Sequence, residues 1–293
     1  MKQELRLTRR DFLKVIGVAA LDFFLLTIGG AGYGHLIEPN WFKVETVKLR
    51  LPRLSRKFSG LRVAQISDIH MGGWMNRERF QRVAELITTE KPDLLLITGD
   101  FIIGRNALDI ADQTAQDLIT VLSGLSKSFP TFAALGNHDY WTDVETVRRV
   151  LSASGIIDLT NTVFTLRREE DSLHLCGVDD VWEGDVRLDH VLEKLTDDSA
   201  AILLAHEPDF ADTSAATGRF DLQLSGHTHG GQVVLPLIGP PILPYLGRKY
   251  PMGLYKVGEM FQYTTRGVGM ARLPLRINCP PEVTLFVLES MTS

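Results

Sequence analysis

The stretch LRVAQISDIH, Leu61–His70, decides how this chain is read. Leu61–Ser67 is a short, largely apolar run of strand length, and Asp68 and His70 follow at its end. Such a run, bounded by loop signals, reads as a buried strand. An extended backbone turns side chains two residues apart the same way, so Asp68 and His70 are expected to share one side of a strand-end loop.

Four more stretches repeat the pattern. Asp93–Thr98 runs into Gly99-Asp100, and Thr131–Leu135 into Gly136-Asn137-His138. Ala200–Leu204 leads to His206, and Leu222–Leu224 leads to Gly226-His227 with His229 two residues on. Helical spacing lies between them. Arg77–Thr89 carries Phe80, Val83, Ala84, Leu86 and Ile87 on one face and stops at Lys91-Pro92. Further helices are expected over Ala107–Leu125, Val144–Ala153, Arg187–Leu195 and Asp209–Thr217. Val44–Leu51 alternates like an edge strand, and Gly155–Leu159, Val163–Arg167, Leu173–Val178, Tyr255–Tyr263 and Val283–Leu288 read as strands. Alternating β and α with later antiparallel strands argues a layered α/β sandwich. In such sheets ligands bind beyond the carboxyl ends of the strands, where all five stretches end.

Composition narrows the function. The 293 residues are 44% hydrophobic and 23% charged, which is ordinary for a globular protein with an ample core. The formal net charge of −5 offers no basic surplus, which argues against a nucleic-acid partner. Phosphate would have to be attracted by local cations, and bound metals are the obvious source. Cys176 and Cys279 are the only cysteines; with no CxxC spacing they read as two unpaired core thiols, with a single bridge between them as the alternative if the domain is exported.

The first 35 residues stand apart. Lys2, Arg6, Arg9, Arg10 and Lys14 precede a largely apolar Val15–Gly34, the layout of an export signal. Thr8–Lys14, TRRDFLK, resembles the twin-arginine signal of bacterial Tat substrates. Asp22 and four glycines weaken the segment as a stable membrane span, so it reads as a signal or a membrane anchor. Either way the rest of the chain is expected beyond the cytoplasm, at the outer face of the cytoplasmic membrane or in the periplasm or cell wall. The expected division is 1–35 signal or anchor, 36–60 linker and lead-in strand, and 61–293 a single catalytic domain.

The five strand-end loops carry the chemistry. Carboxylate and imidazole ligands suit Zn, Fe or Mn and not a thiolate-seeking metal. Asp100 has two carboxylate oxygens and can bridge two cations roughly 3.5–4 Å apart. The adjacent side chains of Asn137 and His138 diverge, one offering a carbonyl oxygen to a metal and the other facing a leaving group. Asp139 is expected to orient His138. Arg266, Arg272 and Arg276 are candidate phosphate or substrate contacts, with surface ion pairs as the alternative. Pro236–Met252 is too proline-rich for a helix and should be a stiff loop near the site. Its aliphatic residues suit a lipid-like substrate, a membrane face, or packing on the core. Trp74, Met75, Tyr140 and Trp141 could add an apolar wall. His35, His174 and His190 fall outside the pattern.

In order, the five loops read D-x-H, G-D, G-N-H-D, a lone H, and G-H-x-H. That series, over about Leu61–Gly231, resembles the calcineurin-like metallophosphoesterase superfamily. SGHTHGGQ at Ser225–Gln232, YTTRGVG at Tyr263–Gly269 and RINCPPEVTL at Arg276–Leu285 resemble its YaeI/YkuE branch, bacterial phosphodiesterases with Tat-type N-termini. The resemblance implies a four-layer αββα sandwich. It implies Asp68, His70 and His229 on a first metal, Asp100 as the bridge, and Asn137, His206 and His227 on a second. His138 matches the family's non-ligand catalytic histidine. The implied activity is phosphodiester hydrolysis by a metal-bridging hydroxide. The alternatives are a hydrolase of a lipid-linked pyrophosphate such as UDP-2,3-diacylglucosamine, or a membrane-tethered, non-catalytic interaction module. The implied partners are a phosphoester substrate, lipid-linked forms included, the Tat export machinery, and a membrane through the N-terminal segment.

Overall fold

The computed structural model describes residues 9–104, 112–271 and 273–291. Six strands form the first sheet: β1 (Lys43–Leu51), β2 (Leu61–Ile66), β3 (Leu94–Thr98), β4 (Thr131–Ala134), β5 (Ile157–Asp158) and, from the far end of the chain, β12 (Glu282–Ser290). Their order is β1-β12-β2-β3-β4-β5. The second sheet contains β6 (Thr162–Arg168), β7 (Asp171–Gly177), β8 (Ala201–Leu204), β9 (Leu222–Ser225), β10 (Gly253–Val257) and β11 (Met260–Thr264), in the order β10-β11-β9-β8-β7-β6. β2, β3 and β4 run parallel, as do β8 and β9, so loops leaving these strands gather at common edges.

Strand periodicity sorts the core into three slabs. Along β3, Leu94 and Leu96 join the cluster between the sheets, while Leu95 and Ile97 point to the opposite face. Along β8, Ile202 and Leu204 face the first sheet, while Ala201 and Leu203 face outward. Both sheets are therefore covered on both sides. Helices α2 (Arg77–Glu90), α3 (Asp112–Ser128) and α5 (Val144–Ala153) cover the first sheet through Phe80, Val83, Leu118, Leu122, Val147 and Leu151. The short α6 (Leu188–Lys194) and α7 (Ala211–Ala216) cover the second through Val191 and Ala211. The result is the expected four-layer αββα sandwich. Local chemistry sets the helix ends: the Asn76 side chain accepts from Arg79 N at 3.0 Å to cap α2, and Lys91, left-handed at φ 48°, ends it before Pro92.

Two sequence expectations change. Tyr255–Tyr263 is not one strand but the β10–β11 hairpin, turned at Gly258-Glu259 with Gly258 at φ 57°. The helix expected from Ala107 is described only from Asp112, and its expected start lies outside the described residues. Cys176 and Cys279 are buried and unpaired, as expected.

The N-terminal helix α1 spans Arg9–Leu36, while Thr8 of the TRRDFLK motif lies outside the described residues. Among the described residues no helix is long and apolar enough to cross a membrane. The end of α1 is docked on the domain. Arg276 N donates to Gly34 O at 2.9 Å, and a Cβ on Gly34 would lie 2.8 Å from Arg276 O. Glu38 then accepts from Asn278 N and Cys279 N at 3.0 and 2.5 Å.

Candidate metal centre

Asp68 and His70 follow β2, Asp100 follows β3, and Asn137 and His138 open α4 (Asn137–Thr142) just after β4. His206 follows β8, and His227 and His229 follow β9. All eight gather between the two sheets at one edge. Seven are buried, and only His138 is partly open to solvent.

Convergence does not come from an extended backbone. Asp68, His70, Asp100, His227 and His229 all have φ between 50° and 70°. Each therefore sits in the left-handed region, which L-residues other than Asn, Asp and Gly seldom enter. The loops fold back on themselves at these residues, and that turn aims the side chains inward. Five such residues in one site mark strain held by its surroundings, a pattern associated with functional positions.

Glycines make the close approach possible. A Cβ at Gly226 would lie 1.9 Å from Ser67 Oγ and 2.4 Å from Asp68 Oδ2. With the hydrogen there instead, His227 N reaches both carboxylate oxygens of Asp68 at 3.0 and 3.1 Å.

The donors form two overlapping groups around Asp100. In the first, His70 Nε2 lies 3.0 Å from His229 Nε2, which lies 3.4 Å from Asp68 Oδ1. Bonds of roughly 2.1 Å to one ion place neighbouring donors about 3.0 Å apart at right angles and about 3.4 Å apart at tetrahedral angles. The spacing fits a metal. In the second group, His227 Nδ1 lies 2.9 Å from Asn137 Oδ1. Asp100 Oδ2 stands between the groups, 3.5 Å from His70 Nε2 and 3.2 Å from His206 Nε2. The other oxygen, Oδ1, accepts from His138 N at 2.9 Å.

Outer partners fix two of the ring orientations. His206 Nδ1 meets Thr98 O at 2.6 Å, turning Nε2 toward Asp100. His227 Nε2 meets Tyr245 O at 2.7 Å, turning Nδ1 toward Asn137. A backbone carbonyl on one imidazole nitrogen sets the tautomer that frees the other as a ligand.

Electrostatics agree with a site made for cations. Burial pushes His70 down to about 3, and burial also holds His227 and His229 below the ordinary imidazole value, so all three are neutral and can donate a lone pair. Burial, with Asp100 close by, raises Asp68 to about 7. Burial alone would raise Asp100 and lower His206, but each is the other's main partner, so Asp100 falls well below and His206 rises well above its usual value.

The structure reassigns several neighbours. Asp139 does not orient His138: its carboxylate accepts from Gly136 N at 2.9 Å, Asp100 N at 3.0 Å and Phe101 N at 2.8 Å. It ties the second and third site loops together. Arg276 is fully buried, and its guanidinium donates to the carbonyls of Cys279, Arg266, Gly267 and Gly269 at 2.6–3.2 Å. Arg266 pairs with Glu282 at 2.6 Å and Glu45 at 2.7 Å. Both arginines are thus tied into the protein frame, while the buried Arg276 Nε meets no hydrogen-bond partner among the described residues. Arg272 lies outside the described residues.

Of the expected apolar wall, Trp141 stands at the centre, its ring 4.7 Å edge-on from His138. Trp74 and Met75 belong instead to the core beneath the first sheet. The sequence reading missed Trp182, which lies 5.2 Å from Trp141, 6.0 Å from His227 and 5.4 Å from Tyr245, centroid to centroid. Its only sequence signal was a tryptophan in the acidic turn Asp179–Gly184 after β7.

Residues 61–231, more than half of the chain, match the calcineurin-like phosphoesterase model. The chain belongs to this family. It is 35% identical to the uncharacterized metallophosphoesterase YkuE of Bacillus subtilis over 97% of this chain and 99% of that one. It is 32% identical to the phosphodiesterase YaeI of Escherichia coli over 96% of this chain and 99% of that one. A Danio rerio transmembrane protein with a metallophosphoesterase domain is 34% identical over 90% of this chain and 61% of its own length. As a calcineurin-like phosphoesterase the protein is a metal-dependent hydrolase of phosphoesters, and its clustered Asp and His side chains are suited to metal binding.

Proposed function

We propose that the protein is a two-metal phosphodiesterase working beyond the bacterial cytoplasmic membrane. The observation that carries this reading is Asp100 Oδ2, held within 3.2–3.5 Å of an imidazole from each donor group. Asp68, His70 and His229 would hold one ion, Asn137, His206 and His227 the other, and Asp100 both. Ions of the Mn, Zn or Fe type held there supply Lewis acidity, which lowers the pKa of water and draws charge from phosphoryl oxygens.

The chain's own groups then divide the work. The left-handed loops and the carbonyl-held rings of His206 and His227 would keep ligands in place before substrate arrives, so little reorganisation is needed during reaction. His138 is the site imidazole that solvent reaches. Its backbone N–H is pinned to Asp100, and its ring sits 4.6 Å edge-on from His70. It is placed to stabilise or protonate the leaving alkoxide oxygen of a diester. The name of YaeI, which is similar along nearly the whole chain, supports a diester over a monoester.

For location, TRRDFLK and the apolar stretch behind it support export through the Tat machinery, with residues 1–35 as signal or anchor, 36–60 as linker and entry strand, and 61–293 as the catalytic domain. Hydrolysis of bis-p-nitrophenyl phosphate with added Mn²⁺, abolished by EDTA and restored by metal, is the expected result. A metal-loaded protein inert toward phosphodiesters would favour a non-catalytic module. Replacing Arg9 and Arg10 with lysine should keep the protein in the cytoplasmic fraction; unchanged export would remove the Tat reading.

A further inference from the structure

The segment between the last site loop and β10 carries aliphatic side chains where water should exclude them. Leu237 is 108% exposed relative to its reference area, and Ile238 and Ile242 are each 76% exposed. The tip is a built feature. Leu235 and Gly239 exchange both backbone hydrogen bonds, at 3.0 and 2.9 Å, and Leu237 between them has φ 67°. A left-handed conformation is costly for leucine, and glycine or asparagine would relieve it. Leu237 stands there with no described residue covering it.

Position gives the tip meaning. At one end Tyr245 O holds His227, tying the segment to the metal centre. At the other end, Val234 N donates to Ile277 O and Ile277 N to Gln232 O, both at 2.9 Å, while Arg276 N holds Gly34 O of α1. Leu36, Ile37 and Leu273 along this bridge are exposed as well. The aliphatic tip, the docked end of α1 and the mouth of the metal centre therefore lie on one side of the molecule. Prolines at 236, 240, 241 and 244 stiffen the segment, which protrudes as a convex tip. A protein partner would need a matching pocket for it, whereas fluid hydrocarbon accepts it anywhere. Exposed Arg248 follows three residues after Tyr245 and offers a cation to anionic headgroups. Behind α1's basic start, Val15–Gly34 contains a single charged residue, Asp22, so the element next to the tip is itself lipid-compatible.

We propose that Leu235–Tyr245 is a membrane-insertion loop that seats the mouth of the metal centre on an anionic phospholipid bilayer. Docking stands on the exposed loop alone. Its consequence, that phosphoesters enter from the headgroup layer, rests on the phosphodiesterase reading. Cys176 and Cys279 are buried, so an Ile238→Cys variant of the full chain can be labelled at one place with an environment-sensitive fluorophore. Glu170→Cys, in the β6–β7 turn at the opposite end of the second sheet, is the control. With vesicles of phosphatidylethanolamine and phosphatidylglycerol, the label at 238 should shift to the blue and the label at 170 should not. Changing Leu237 and Ile242 to serine in the Ile238→Cys background should weaken that blue-shifted state by at least about tenfold, given the aliphatic area withdrawn from lipid. Vesicle binding without a shift at 238 would overturn the proposal, leaving α1 as the sole contact. A shift that needs no vesicles and grows with protein concentration would overturn it in favour of a second copy. Hydrolysis of bis-p-nitrophenyl phosphate by the same samples reports separately on the catalytic reading.

Discussion

Asp139→Asn is the substitution that most clearly separates bracing from catalysis. Asp139 is fully buried and accepts three backbone N–H bonds, from Gly136, Asp100 and Phe101, at 2.8–3.0 Å. Burial, with Asp100 close by, raises Asp139 to about 7, and above that pH its hydrogen bonds are to an ionised acceptor, contributing about 1.5–3 kcal/mol each. Asparagine keeps one acceptor oxygen but turns an NH₂ group toward at least one of these donors. Losing one bond and opposing two donors should cost about 3 kcal/mol, a large part of a typical stability of about 5–15 kcal/mol. The damage should fall first on the Asp100 and Asn137 loops. Denaturant titration should show a lower midpoint with an unchanged slope, and elemental analysis should show weakened metal retention. If Asp139→Asn unfolds at the parental midpoint and keeps its metal while only kcat falls, Asp139 serves His138 and the bracing role is wrong.

Three further outcomes are expected. His138→Ala should lower kcat by about 10²–10⁴-fold while metal content stays near the parental value; parallel loss of metal would make His138 a ligand. Gly226→Ala should cost the protein its metal or its solubility, because the new Cβ falls within 2 Å of Ser67 Oγ, and a fully active variant would contradict the packing described here. Thiol reagents at pH 8 should leave the native protein untouched and modify both cysteines after denaturation. Burial raises Cys279 and pushes Cys176 up to about 12, so their thiolates are scarce; rapid native labelling would refute this.

Much of the fold was legible because strand and helix periods differ and because five strands end in the same kind of loop. Leu61–Ile66, Leu94–Thr98 and Thr131–Ala134 fall inside the runs read as strands from sequence. The pairing of β1 with β12 was not legible, since some 240 residues separate them and neither carries a register signal. The β10–β11 hairpin was missed because Gly258-Glu259 interrupts one alternating run that looks continuous. The site residues were legible as residues but not in their conformation: nothing in D-x-H states that Asp68 and His70 both turn left-handed. Arg276 was legible as a residue near the site but not in its surroundings. An arginine near a phosphate site suggests a ligand, and only the fold reveals four carbonyls converging on it.

The central claim is that Asp100 joins two cations in one centre. Elemental analysis of the purified protein and of its Asp100→Asn variant, paired with diester hydrolysis, tests it most directly. Two ions per chain in the parent, with both sites emptied or crippled and activity lost in the variant, is the predicted result. A variant that keeps two ions and full activity, or an active parent holding a single ion, would contradict it.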